Sequence, residues 1–188
     1  YFVVALLLVA VVYPLYLFGT VMGLDGLDLR RVGADFYQLM LASRLAVSGN
    51  AAQLYDFSWF YNEVQRNVAE GSGFYAWVHP PSLLVFLVPI SGLTYLQAYG
   101  LWMGMGGLLS FVVAFSRKAP IRAVTFFIFA PATLVNLFYG QSGMLAGGFL
   151  YGGLRLLNRH PALAGVLLGC VSIKPELFML VPIILIAH

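Results

Sequence analysis

Apolar runs dominate the chain, and a single long polar, aromatic-rich stretch interrupts them. Residues 1–22 are apolar from the first position. At about 1.5 Å per residue they reach roughly 33 Å, enough to cross a hydrocarbon core of about 30 Å, so a first transmembrane helix is expected there. Residues 23–79 change character. Gly23-Leu24-Asp25-Gly26 breaks the helix, and two amphipathic segments follow. The first is expected over 35–48, with Asp35 as N-cap, Gln38 at capping-box spacing and Gly49-Asn50 as the stop. The second is expected over 57–70, where Phe57, Phe60, Tyr61, Val64 and Val68 recur at helical spacing while Asn62, Glu63, Arg66 and Asn67 face away. Such helices between spans lie in the membrane interface. Phe74-Tyr75-Ala76-Trp77 reads as an aromatic belt where the chain re-enters. From His79-Pro80-Pro81 onward the pattern is apolar again, over 82–93, 97–115, 121–138, 142–157 and 161–187. Glycines four apart (Gly100/Gly104, Gly143/Gly147, Gly148/Gly152, Gly165/Gly169) are expected to let helix backbones approach closely.

Composition agrees with an all-α, polytopic transmembrane bundle: 61% hydrophobic and 9% charged residues, with a mean hydropathy of +0.89. Three regions are expected: a first span (1–22), an extracytoplasmic loop with two amphipathic helices (23–79) and further transmembrane helices (80–188). Both ends fall inside apolar runs, so the chain is expected to be a fragment of a longer membrane protein. A net charge of +3, scattered along the chain, is no nucleic-acid footprint. One cysteine, Cys170, rules out an intramolecular disulfide, and no Cys/His spacing suggests zinc. The positive-inside rule puts Arg117, Lys118, Arg122, Arg155, Arg159 and His160 in the cytoplasm. Gln141 and Lys174 then share the outer side with the 23–79 loop. Two full crossings over 82–93 and 97–115 would break that rule, so either 82–93 is re-entrant or the rule fails here.

Few ionisable groups sit among the apolar runs, and those few are where chemistry is sought. Asp35 has two readings, the helix cap above or a general base at the membrane surface. Lys174-Pro175-Glu176 breaks an apolar run; it is either a self-neutralising loop or a phosphate contact through Lys174. Asn136 and the Gly140-Gln141-Ser142-Gly143 turn either satisfy free backbone groups or hydrogen-bond a sugar hydroxyl. His79 either caps the following helix or meets a ligand. Arg30, Arg31 and Arg44 either contact lipid headgroups or hold a phosphate. Read from these residues alone, the chain is an enzyme, a scaffold subunit, or a transporter or lipid flippase with a broken-helix site at Lys174-Pro175-Glu176.

The order of motifs narrows this. Gly33-Ala34-Asp35-Phe36-Tyr37 precedes Leu54-Tyr55-Asp56, then Phe74-Tyr75-x-x-x-His79-Pro80-Pro81 and a stretch from Pro89-Ile90-Ser91 to Ala98-x-x-x-Trp102. Asn136-Leu137-Phe138-Tyr139-Gly140-Gln141 and the 163–169 run leading to Ile173-Lys174-Pro175 complete the series. The series resembles glycosyltransferase family 87, polytopic enzymes of the C-type glycosyltransferase superfamily that includes mycobacterial mannosyltransferases. The resemblance implies a polyprenyl-phosphate sugar donor, most often mannose, and a lipid or glycan acceptor. It also implies inverting transfer on the extracytoplasmic face of the plasma (inner) membrane; from the residues themselves, no cofactor and no metal are expected. Asp35 matches the family's base, Lys174 the lysine that meets the leaving phosphate, and Gln141 the Gly-Gln turn. Arg44, His79 and Asn136 complete the expected substrate-binding set. His79 stands where the family usually has an aromatic residue, and Gly143 where it tends to have asparagine.

Overall fold

A computed structural model describes residues 33–67, 76–115 and 120–187, all helix, turn or irregular loop, without a strand. The expected first span and Phe74-Tyr75 of the aromatic belt lie outside the described residues. Helix α1 (Ala34–Leu45) gives way to a wide π-turn (Ala46–Asn50) and a 3-10 turn (Gln53–Tyr55). The expected stop is real: Gly49 takes φ 91. Helix α2 (Phe57–Asn67) follows, capped by Asp56, whose Oδ1 accepts the Trp59 N–H at 3.0 Å. Of the five apolar positions the spacing names, Phe60 and Val64 are buried, Tyr61 is half-buried, Phe57 is exposed and Val68 lies outside the described residues; Glu63 is half-buried rather than turned outward. Trp77 is also not a belt residue. It is buried at 5% exposure against the Phe60 ring.

Helix α3 (Pro81–Leu87) runs into a 3-10 turn at Val88–Ile90. Ten apolar residues reach about 15 Å, half a hydrocarbon core, so this run does not cross on its own. Helix α4 (Tyr95–Ala114) is the element long and apolar enough to cross a membrane among the described residues. It carries exposed Leu101, Leu108 and Val112. The run expected over 121–138 is bent by 46° into α5 (Ile121–Phe129) and α6 (Pro131–Tyr139). Pro131 lacks an N–H and holds Ala130 extended, which starts a new helix there. Helix α7 (Gly143–Leu156) lies along α4 on one side and α8 (Pro161–Cys170) on the other. A 3-10 turn (Val171–Ile173), α9 (Pro175–Phe178) and α10 (Leu180–Ala187) complete the described chain.

Close helix approach rests on fewer of the expected glycines. A Cβ at Gly148 would stand 2.8 Å from Leu109 Cγ, and one at Gly152 3.0 Å from Val113 Cγ1, so this pair seats α7 on α4. Outside the four-apart pattern, a Cβ at Gly153 would stand 2.7 Å from Leu168 Cγ, and one at Gly106 3.2 Å from the Leu145 backbone nitrogen. Gly100, Gly104, Gly165 and Gly169 meet nothing within 4 Å. Spacing alone does not say which face of a helix has a neighbour.

Candidate active site

Two glycines with left-handed backbone build the junction that positions Asp35. Gly33 (φ 77) precedes α1; its N–H donates to the Phe138 carbonyl at 2.7 Å, and its own carbonyl accepts the Tyr95 hydroxyl at 3.0 Å. Gly140 (φ 74) ends α6 and rests directly on Phe36, while the Tyr99 hydroxyl donates to the Leu137 carbonyl. The start of α1 is thereby held against the end of α6. Asp35, the second residue of α1, turns its carboxylate to the next residue of that turn: Gln141 Nε2 donates to Asp35 Oδ2 at 2.8 Å.

The expected capping role of Asp35 is therefore corrected. Gly33 occupies the N-cap, no side chain caps the helix, and the carboxylate is committed across the fold. Gln38 does not close a capping box either; its Oε1 is buried without a partner. The box-like contact falls elsewhere, at α4, where Gln97 Oε1 accepts the Thr94 N–H at 3.2 Å and its hydroxyl at 2.9 Å. Gly140→Ala is expected to lower stability by at least about 1–2 kcal/mol, the cost of left-handed backbone with a Cβ. The contact with Phe36 adds to this. Thermal unfolding of the variant checks the effect.

His79 reaches the same region from the start of α3. The N-cap of α3 is Pro80, so His79 does not cap it; its carbonyl accepts the Tyr55 hydroxyl at 3.0 Å, and its ring packs on Trp77 at 5.0 Å. Burial holds the imidazole pKa below its usual 6.5, and the Lys174 charge pushes it the same way. Asp35 and Glu176 act on the ring in the opposite sense, which places all three charges within electrostatic reach of it. His79 is accordingly neutral at pH 7. Below pH 6.5 the unfolded chain binds this proton more readily than the folded one, so stability falls with pH there. His79→Gln should flatten that fall, read as melting temperature against pH.

Lys174 follows the 3-10 turn in a non-helical conformation (φ −132, ψ 86), and Pro175 opens α9 with Glu176 in its first turn. The expected break is present. Lys174 Nζ lies 3.4 Å from Glu176 Oε1, a partly exposed pair, so the two neutralise each other locally. Asn136 has both ends of its amide engaged: Nδ2 donates to the Ala132 carbonyl at 2.8 Å, and Oδ1 accepts the Met144 N–H at 3.0 Å. Satisfying backbone groups is its visible task. Arg44 sits roughly 180° round α1 from Asp35, at 100° per residue, and is not brought to the junction. Its Nε donates to the Ser91 carbonyl at 3.1 Å and one terminal nitrogen to that of Leu93 at 3.0 Å.

Residues 77–188, more than half of the chain, match the model of glycosyltransferase family 87. The chain belongs to glycosyltransferase family 87. No curated protein and no solved structure matches it. The family 87 match contains His79, Asn136, Gln141 and Lys174, whereas Asp35 and Arg44 precede it. Membership makes the chain a glycosyltransferase with a donor and an acceptor. It gives the transporter reading of the Lys174-Pro175-Glu176 break no support. Among the described residues, no group of His, Cys, Asp or Glu is placed to hold a metal ion. Sequence reasoning missed the shelf beneath the junction: Tyr95 and Tyr99, one turn apart on α4, stack at 6.1 Å and hold Gly33 and Leu137. Their i, i+4 aromatic spacing was the available signal. It also missed Ser82, in the first turn of α3, whose Oγ is buried without a partner.

Proposed function

We propose that this family 87 chain is part of a multi-pass membrane enzyme that transfers a sugar, mannose by its family resemblance, from a polyprenyl-phosphate donor. The acceptor is a hydroxyl of a lipid or glycan, and the reaction runs on the extracytoplasmic face of the plasma (inner) membrane. The observation that supports this reading is the Asp35–Gln141 contact, which turns a carboxylate from its helix end toward a turn inside the family 87 match, while His79 feels the charges of both Asp35 and Lys174.

Each residue has a distinct task in the reaction. Gln141 holds Oδ2, and the other carboxylate oxygen accepts the acceptor's hydroxyl proton. The acceptor oxygen bonds to the anomeric carbon from the face opposite the phosphate. The bond between that carbon and the phosphate oxygen breaks as this happens, and its electron pair departs with the polyprenyl phosphate. Lys174 turns from Glu176 to the leaving phosphate and stabilises the charge that develops there. Neutral His79 adds a hydrogen-bonding group without a second positive charge. The reaction is one displacement, so the product carries the anomeric configuration opposite to the donor's. Digestion of the product with anomer-specific glycosidases reads this directly. A product that keeps the donor's configuration would contradict a single displacement with Asp35 as base.

A further inference from the structure

The face of α1 opposite Asp35 borders a cleft. It lies between α1, the turn after it and α2 and measures about 390 Å³, within the range of about 300–1,000 Å³ typical of small-molecule sites. Tyr37 and Arg44, both roughly opposite Asp35 on α1, line it together with Ser48, Glu63, Asn67 and Tyr95, over an aliphatic floor from α1. Its polar groups are of mixed kind. Arg44 uses two of its five N–H donors on the Ser91 and Leu93 carbonyls, which leaves three. The Glu63 side chain is only 17% exposed and gives one oxygen, Oε1, to Arg66 at 2.6 Å; Oε2 has no hydrogen-bond partner among the described residues. The Tyr37 hydroxyl donates to the Asn67 carbonyl at 2.7 Å and so ties the two walls together.

The mixture selects the ligand class. A phosphate or carboxylate would meet the Oε2 side of Glu63, which Arg66 leaves open, and a purely apolar chain would leave that oxygen and the three remaining Arg44 donors without partners. A neutral sugar suits both: its hydroxyls donate to Glu63 and accept from Arg44, and its C–H face lies on a tyrosine ring. We propose that this cleft binds a neutral sugar unit of an acceptor glycan, on the face of α1 opposite Asp35. The proposal rests on the sugar-transfer reading and narrows its acceptor to a glycan.

The test is direct binding to the full-length protein in nanodiscs, by saturation-transfer NMR. The probes are neutral oligosaccharides of mannose, glucose, galactose and arabinose, with inorganic phosphate as the counter-probe. At least one oligosaccharide should bind. Ser48→Trp, which fills the mouth from an exposed position, and Glu63→Gln should each weaken that binding at least tenfold. Asp35→Asn should leave it intact. Failure of the whole panel, binding that survives both cleft variants, or phosphate bound more tightly than every sugar would overturn the proposal. Sugar binding without transfer from any polyprenyl-phosphate donor would instead overturn the proposed function and leave the cleft. Transfer with an empty cleft would remove the cleft alone.

Discussion

Asp35→Asn is expected to lower sugar transfer by about 10²–10⁴-fold while leaving membrane insertion unchanged. The substitution is close to isosteric, and the asparagine oxygen still accepts the Gln141 N–H that now meets Asp35 Oδ2. The contact between the start of α1 and the Gly140-Gln141 turn is therefore retained, along with the backbone bond from Gly33 to Phe138. What is lost is the ability to take a proton from the acceptor hydroxyl. The comparison is of initial rates in membranes containing equal amounts of parent and variant. Normal turnover by the variant would leave Asp35 as a structural part of the α1–α6 junction and move the base elsewhere.

Lys174→Ala is expected to cost about 10²–10³-fold, concentrated in donor use, because it removes the cation that meets charge developing on the leaving phosphate. Magnitudes separate this from a stability effect. The Lys174–Glu176 pair is partly exposed, and such pairs contribute about 0–1 kcal/mol, too little to unfold the chain. Glu176→Gln supplies the control. It breaks the same pair but keeps the lysine, so transfer should persist. If Lys174→Ala left donor dependence unchanged, the lysine would be no more than half of a surface ion pair.

The local elements were legible where one residue type dictates the backbone. Pro81, Pro161 and Pro175 each open a helix, and Gly49 closes the first amphipathic segment, because φ is fixed in one case and free in the other. Of the five positions that the apolar spacing of α2 named, Phe60 and Val64 form its buried face. Pro131 carried the same signal as the other prolines, yet the long apolar run around it reads as continuous. Partner identity was less legible. The four-apart glycines could not reveal that Gly148 and Gly152 meet α4 while Gly165 and Gly169 meet nothing, since that depends on which helix lies alongside. Trp77 reads as an interfacial aromatic by position and is buried because Phe60 packs against it.

Asp35 is the instructive residue of the site. Its spacing to Gln38 fits a capping box, and local rules favour that arrangement. Three bonds from distant residues outweigh it: Gly33 is pinned to Phe138 and Tyr95, which fixes the helix start two residues earlier, and Gln141 takes the carboxylate. The Asp35–Gln141 pairing spans 106 positions, and no local period encodes it. The motif order that resembles family 87 did name both residues, although it did not indicate that they touch. Arg44 and Asn136 belonged to the same set, and both are engaged with backbone groups.

The most direct measurement supplies the full-length protein, reconstituted in liposomes, with radiolabelled polyprenyl-phosphate mannose and a membrane lipid or glycan extract as acceptor. Sugar transfer from a lipid-linked donor predicts label in an acceptor product, dependent on the polyprenyl phosphate and absent when a nucleotide sugar replaces it. Label transferred from the nucleotide sugar and not from any polyprenyl-phosphate sugar would contradict it.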